Sequence, residues 1–371
     1  MRIEAKVKIP IIQGGMGVGI SLSKLAGSVA SLGGIGTISA ADIGFKEKDF
    51  FKNRKNANYR AIFQQVKKAK EISKGKGIIA MNIMYASFDY DEIVKKSIEA
   101  GVDLIVSGAG LPLNLAELTK GKNVLIGPIV SSLRALRIIL KRWKKVDKFP
   151  DLIIVEGPLA GGHLGFKDIN KAKSLREITK EILNFLKEEN LPIKVFPAGG
   201  IRNREEVQEF LSMGTYGVQV ATPFIASYQC DAHENFKKEI IRARDEDLSI
   251  INSPVGMPAR AIKNKFLYDI EKENIKKRNI SCIRCIKTCD SINMKYCISE
   301  YLIKSVLGFE GLVFSGARID QINKIRNVKE IIGDYFNIWK HYYLLVKAHK
   351  KWTWVLIFMK ILKRQEVLLI I

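Results

Sequence analysis

The sequence has no unbroken apolar run of about 18 residues, the length needed to cross a bilayer as a helix, so a transmembrane helix is not expected. Its start, Met1-Arg-Ile-Glu-Ala-Lys-Val-Lys-Ile-Pro10, lacks the apolar stretch of a secretory signal. Histidine is scarce, with four in 371 residues, so any proton-transfer role for imidazole rests on very few positions. Cysteine is scarce too, and four of the five lie between 282 and 297. That distribution does not read as a disulfide framework, and a reducing, cytoplasmic location is the simplest expectation. Acidic residues are outnumbered, 38 against 61 Lys and Arg, for a formal charge of +23. Nucleic acid, an acidic membrane surface and an acidic partner would each suit such a charge. The basic residues are spread over many predicted helices, with no helix-turn-helix, zinc finger or aromatic RNA-binding strand pair. A solvated, lysine-rich surface is therefore the reading, and nucleic-acid binding is set aside.

What the sequence does have is a repeated alternation. Eight short Val/Ile-rich segments recur at 9–14, 34–39, 77–84, 102–108, 123–130, 152–157, 193–200 and 217–224. They do not alternate with polar residues, the pattern of strands buried on both faces in a parallel sheet. Helical periodicity lies between them at 21–31, 59–74, 91–100, 132–145, 175–188 and 204–213. Eight such units in about 230 residues predict an α/β fold of the (β/α)₈ TIM-barrel type, with an open doubly wound sheet as the rival. The expected organisation is a barrel core over residues 1–225 and a mainly helical, cysteine-containing appendage over 226–336. A helix is expected at 320–335. Residues 337–371 form a basic, apolar tail, for which a surface helix, a packing helix and unstructured chain all stay open.

Four motifs fall at predicted strand ends, where barrels place their active sites. Gln13-Gly-Gly-Met-Gly17 follows the first strand, and glycines there let backbone approach a ligand closely. Pro197-Ala-Gly-Gly-Ile201 and Gly217-Val-Gln-Val-Ala-Thr-Pro-Phe224 mark the seventh and eighth strands. Small residues there supply backbone N–H donors for a phosphate, although tight strand–helix turns would look the same. Glu156-Gly-Pro-Leu-Ala-Gly-Gly-His163-Leu-Gly165 follows the sixth strand. Its glycines leave the ring of His163 little shielded, and imidazole can exchange a proton near neutral pH. His233, His341 and His349 read as surface residues. Cys282-x₂-Cys285-x₃-Cys289-x₇-Cys297 could bind zinc or an iron–sulfur cluster, but its spacing matches no common module. Four packed, reduced thiols are the favoured reading.

Taken together, Gln13-Gly-Gly-Met16, Met81-Asn82-Ile83, Glu156…Ala160-Gly-Gly-His163-Leu-Gly165, Ala198-Gly-Gly-Ile201 and Gly217-Val-Gln-Val220 resemble the nitronate monooxygenase (2-nitropropane dioxygenase) family. The related FMN-dependent enoyl-ACP reductases share similar segments. The resemblance spans about residues 1–330 and implies FMN at the C-terminal mouth of the barrel. Carried over by position, it implies that Gly14, Gly15, Met16 and Gly17 lie along the flavin and that Asn82 hydrogen-bonds to it. Glu156 falls where the family has a polar flavin contact, often glutamine, and Gly161 and Gly162 lie close by. Ala198, Gly199 and Gly200, with Gln219, Val220, Ala221 and Thr222, would hold the phosphate, and His163 would be the catalytic acid/base. One departure stands out. In Gln219-Val-Ala-Thr-Pro223, Pro223 offers no N–H and the basic side chain found in many members is missing. The implied reaction is oxidation of alkyl nitronates by dioxygen to a carbonyl product and nitrite. The alternative is NAD(P)H-dependent enoyl-ACP reduction, for which a basic surface would suit an acidic acyl carrier protein. A flavin-binding protein without turnover is the remaining reading. The substrate would be a small nitronate or an enoyl thioester, and a homodimer is open.

Overall fold

The computed structural model describes residues 3–272, 282–290 and 292–337. The tail from 338 onward, with His341 and His349, lies outside the described residues.

Eight parallel strands close into a barrel: β1 (Ile11–Gln13), β2 (Ile35–Ser39), β3 (Ile78–Met84), β4 (Leu104–Gly108), β5 (Leu125–Val130), β6 (Leu152–Glu156), β8 (Lys194–Ala198) and β9 (Val218–Val220). A two-residue strand, β7 (Gly162–His163), lies outside that ring. Ile11 pairs with Val218 to close it. This is the (β/α)₈ architecture, and the open-sheet rival is excluded by that closure. The continuous apolar runs are explained by burial on both faces. In β6, Leu152 and Ile154 point into the barrel with Ile12, Ile35, Leu104 and Phe196, while Ile153 and Val155 pack outward under the helices. A short helix, α1 (Ile3–Lys6), sets Ile3 and Val7 against the inner cluster.

The barrel helices are α2 (Ser23–Ser31), α3 (Arg54–Ser73), α4 (Tyr90–Glu99), α5 (Leu115–Leu118), α6 (Leu133–Trp143), α7 (Leu175–Glu188) and α8 (Arg204–Ser212). Local sequence explains several starts. The Ser132 side chain accepts from the Ala135 N–H, and Asn203 from Glu206. Ser174 and Glu177 form a reciprocal capping box. Helix α2 sits directly on β2, where a side chain at Gly36 would collide with the Ala26 carbonyl. Helix α3 begins five residues before the expected Tyr59. The segment from Arg54 to Asn58 lacks apolar periodicity, and Arg54 is held instead by ion pairs to Asp42 and Asp89.

Beyond β9 the chain runs through α9 (Thr222–Ile225), α10 (Glu234–Arg242), α11 (Lys265–Glu271), α12 (Ile298–Val306) and α13 (Val328–Tyr335). Helices predominate, but a hairpin that the sequence reading passed over lies among them: β10 (Leu248–Asn252) and β11 (Pro258–Ile262). Ser253-Pro-Val-Gly256 turns between them, with Gly256 in the left-handed region at φ +80°. Strand β7 joins β11 through the pairs Ala259–His163 and Arg260–Gly162, so the hairpin reaches back into the loop after β6. The helix expected over 320–335 is shorter. Residues 319–321 make a 3-10 turn, and Arg326 then bridges to Ser227 in extended form. Only at Asn327, whose side chain caps the Lys329 N–H, does α13 begin. His233 is exposed, and its Nδ1 accepts from the Asn235 N–H at the start of α10.

Among the described residues, no helix is long and apolar enough to cross a membrane.

Candidate active site

A cavity of about 250 Å³ opens at the C-terminal ends of the barrel strands. All sixteen residues that the resemblance assigns to the flavin or to catalysis line it. Gly14, Gly15, Met16 and Gly17 come from the loop after β1, and Asn82 from β3. Glu156 ends β6, and Gly161, Gly162 and His163 follow on its loop. Ala198, Gly199 and Gly200 close β8, while Gln219, Val220, Ala221 and Thr222 lead from β9 into α9.

Each loop has a local reason for its shape. Buried Gln13 does not face the cavity; its amide donates to the Thr37 carbonyl at 3.2 Å and accepts the Thr37 N–H at 3.1 Å, tying β1 to β2. Gly15 is pressed against Asn82, whose amide donates to the Gly15 carbonyl at 3.4 Å, so a side chain there would collide. Gly199 and Gly200 adopt φ +102° and +85°, a conformation that leaves glycine the natural occupant.

The segment from Glu156 to Gly165 is held by residues distant in sequence. The buried Arg260 of β11 donates to the Pro158 carbonyl at 2.9 Å and also to the Ala160 carbonyl. Gly161 lies flat against Ser315 and Gly316, and an added Cβ would stand 2.4 Å from the Gly316 nitrogen. The His163 Nε2 hydrogen-bonds the Ser253 hydroxyl at 2.8 Å, and its ring meets Phe314 edge-on at 5.3 Å. Removal from water lowers the His163 pKa to about 4, so the imidazole is neutral at pH 7. Desolvation acts oppositely on Glu156, raising its carboxyl to about 7 against a hydrogen bond from the Gly165 backbone.

At Ala221-Thr222-Pro223 the missing donor is harmless to the fold. Pro223 sits in the first turn of α9, where an N–H has no helical partner. The Thr222 hydroxyl accepts the Gly316 N–H at 3.1 Å. A cation absent from that stretch is present nearby. Arg202, directly after Gly199-Gly200-Ile201, lines the cavity and donates to the carbonyls of Ala317 and Arg318. Desolvation lowers its pKa. Arg318 in turn donates to the Gly200 carbonyl at 2.8 Å and pairs with Glu206.

The sequence reading missed Arg202, Ser253, Arg260 and the 314–316 strip. Arg202 adjoins a recognised glycine motif and could have been found. The 314–316 strip belongs to a short apolar run, 311–316, that carries no functional signal of its own. Ser253 and Arg260 carry no local signal, because their partners lie 90 and about 100 residues away.

The four clustered cysteines are free thiols. Among the described residues, no three His, Cys, Asp or Glu side chains converge closely enough to hold one metal ion.

The nitronate monooxygenase family model matches residues 2–337, and the chain belongs to that family. It is therefore an oxidoreductase, and the family implies a flavin cofactor. A Staphylococcus saprophyticus protein described as "probable nitronate monooxygenase" is 26% identical over 287 residues, covering 72% of this chain and 79% of that one. Among solved structures, FabK from Thermotoga maritima superposes with a TM-score of 0.69 at 22% identity, over 94% of this chain and 97% of its own. Nitroalkane oxidase from Streptomyces ansochromogenes gives 0.66 at 16% identity, over 89% and 95%. Both share the fold.

Proposed function

We propose that this chain oxidises alkyl nitronates with a bound FMN, giving a carbonyl product and nitrite at the expense of dioxygen. The observation that carries the proposal is the convergence of His163, Glu156, Arg202 and the glycine loops of β1, β8 and β9 on one cavity. The donor set fits a planar ring with an anionic tail. Glycine backbone from the β1 loop offers a flat wall, while the turn at Gly199-Gly200 with Arg202 supplies donors and positive charge for a phosphate. When bound, the flavin would take up the electrons that leave the substrate.

The protein's own residues position the substrate and manage protons. A nitronate is already an anion, so no strong base is needed to make it. Neutral His163, fixed through Ser253, would donate one hydrogen bond to the nitronate or take the α-proton of a neutral nitroalkane. An anion beside the ring would stabilise imidazolium and raise its pKa from the value in the open cavity. Glu156 in its neutral form carries one O–H donor and one carbonyl acceptor. That is the hydrogen-bonding inventory of the glutamine often found there in the family, so protonated Glu156 would substitute for it. Its carboxyl, raised to about 7, keeps much of the neutral form at physiological pH.

Aerobic turnover of ethyl nitronate tests the reading. Nitrite and acetaldehyde should form in equal amounts with purified, flavin-loaded protein. Absence of nitrite, together with NAD(P)H-dependent reduction of crotonyl thioester, would replace it with the enoyl reductase reading.

A further inference from the structure

Residues 282–297 hold four of the chain's five cysteines, all of them free thiols. They do not take part in the chemistry described above. Cys282, Cys285, Cys289 and Cys297 all line a second cavity, of about 170 Å³, joined by Met294. Cys289 and the Met294 thioether are 3.7 Å apart. This cavity shares a wall with the active-site cavity, because Cys285, Ile286 and Ile298 line both.

The loop carrying the thiols is held on two sides. Ser87 and Ile286 form an antiparallel bridge, in which Phe88 donates to the Cys285 carbonyl at 3.1 Å and Lys287 to the Ala86 carbonyl at 2.9 Å. The Thr288 hydroxyl donates to the Val255 carbonyl at 3.0 Å, fastening the loop to the hairpin turn. Within this frame Arg284 takes a left-handed conformation, φ +51°, which a non-glycine residue adopts at a cost. The turn aims its N–H at the Cys282 sulfur, 3.4 Å away. Cys297 is the N-cap residue of α12. The Cys282 sulfur therefore already faces a backbone donor, the kind of contact that tunes metal-bound thiolates.

The spread of the thiols discriminates between metals. A tetrahedral zinc ion would draw four sulfurs to about 2.3 Å from one point. The cysteines surround a volume instead, and no three of the described ligand-type side chains converge on a point. A four-iron cluster has the complementary requirement. Each thiolate binds its own iron at the corner of a compact inorganic core, so the sulfurs stand apart around it.

We propose that Cys282, Cys285, Cys289 and Cys297 are the ligands of a [4Fe–4S] cluster in this second cavity, directly beside the active site. Assembly from two ferrous ions, two ferric ions and four sulfides needs no net electron transfer, and the four thiols give up their protons to solvent. The site is independent of which substrate the neighbouring cavity takes.

Anaerobic reconstitution of the full chain with equal ferrous and ferric iron plus sulfide tests it. The protein should retain about four iron and four acid-labile sulfide per chain after desalting, with a visible absorption band that chelation removes. Cys282 is exposed, so C282A should keep the wild-type melting curve while losing most of the iron and sulfide. C230A, which removes the buried fifth cysteine, should retain the full complement. Iron and sulfide below a tenth of an equivalent in the folded wild type would overturn the proposal. So would one tightly held zinc per chain in a parallel arm with zinc alone, or a C282A/C289A variant that keeps its cluster.

Discussion

The two walls of the active-site cavity are built on different plans. The barrel wall is backbone, offered by glycine-rich strand ends at 14–17, 161–162 and 199–200. The side facing the C-terminal appendage is controlled by side chains: Phe314 lines it against the His163 ring, while behind the lining Arg260 grips the loop after β6 and Ser253 holds His163. The barrel wall determines what shape can bind. The appendage side fixes how the His163 imidazole, the proposed proton-transfer group, is held and how far it is removed from water. His163 sits on the seam, since its loop leaves β6 yet pairs with β11.

The largest effect should come from the seam itself. H163A should lower kcat/KM for alkyl nitronates by about 10²–10⁴-fold, the range for loss of a positioned proton-transfer group. Flavin content should stay unchanged, which absorbance of the desalted protein would check.

R260M attacks the appendage wall without touching the cavity floor. It leaves the Pro158 and Ala160 carbonyls without their donor. A thermal melt should show a loss of about 1–3 kcal/mol. Activity should fall on the order of 10²-fold, because the His163 loop is displaced. If R260M kept full activity, the appendage would not be steering that loop.

S253A is milder. It removes one hydrogen bond to His163, worth about 1 kcal/mol, so kcat should fall about fivefold with little change in KM. A larger change in KM than in kcat would mean that Ser253 contacts substrate instead of positioning the imidazole.

The smallest effect is expected at Glu156, and it is read through pH. The folded carboxyl titrates at about 7 against an ordinary 4.5, so the folded state binds the proton more tightly. Stability should therefore fall as pH rises between about 4.5 and about 7, and E156Q should flatten that dependence. At pH 6 the variant should match the wild type within about twofold in activity, since both then present a neutral donor–acceptor pair. The decline of the wild type above pH 7 should be missing in E156Q. His163, with a pKa near 4, should contribute no inflection to kcat/KM between pH 5 and 8.

The same contrast explains what could be read from sequence. The barrel wall was legible because each strand announces itself by a local apolar run and each loop by its glycines, which need no knowledge of distant partners. The appendage wall depends on contacts that span about 100 residues, such as Arg260 to Ala160, and no local pattern encodes these. Strands β10 and β11 escaped notice because each has only five residues and the first is partly polar, although Ser253-Pro-Val-Gly256 is a turn signal. The long helix expected before Tyr335 failed for a related reason. Its first half holds a 3-10 turn at 319–321 and then the bridge from Arg326 to Ser227, a tertiary contact that outweighs helical periodicity. Arg202 shows a middle case: a charge one residue beyond a recognised motif, lining the same cavity as Ala221 and Thr222.

Mixing the flavin-loaded protein with ethyl nitronate under strict anaerobiosis tests the central claim most directly. With no oxidant present, the flavin absorbance should bleach within the first turnover, in proportion to nitronate added, and should return when air is admitted. A flavin that stays yellow with nitronate but bleaches with NADH or NADPH would contradict the account.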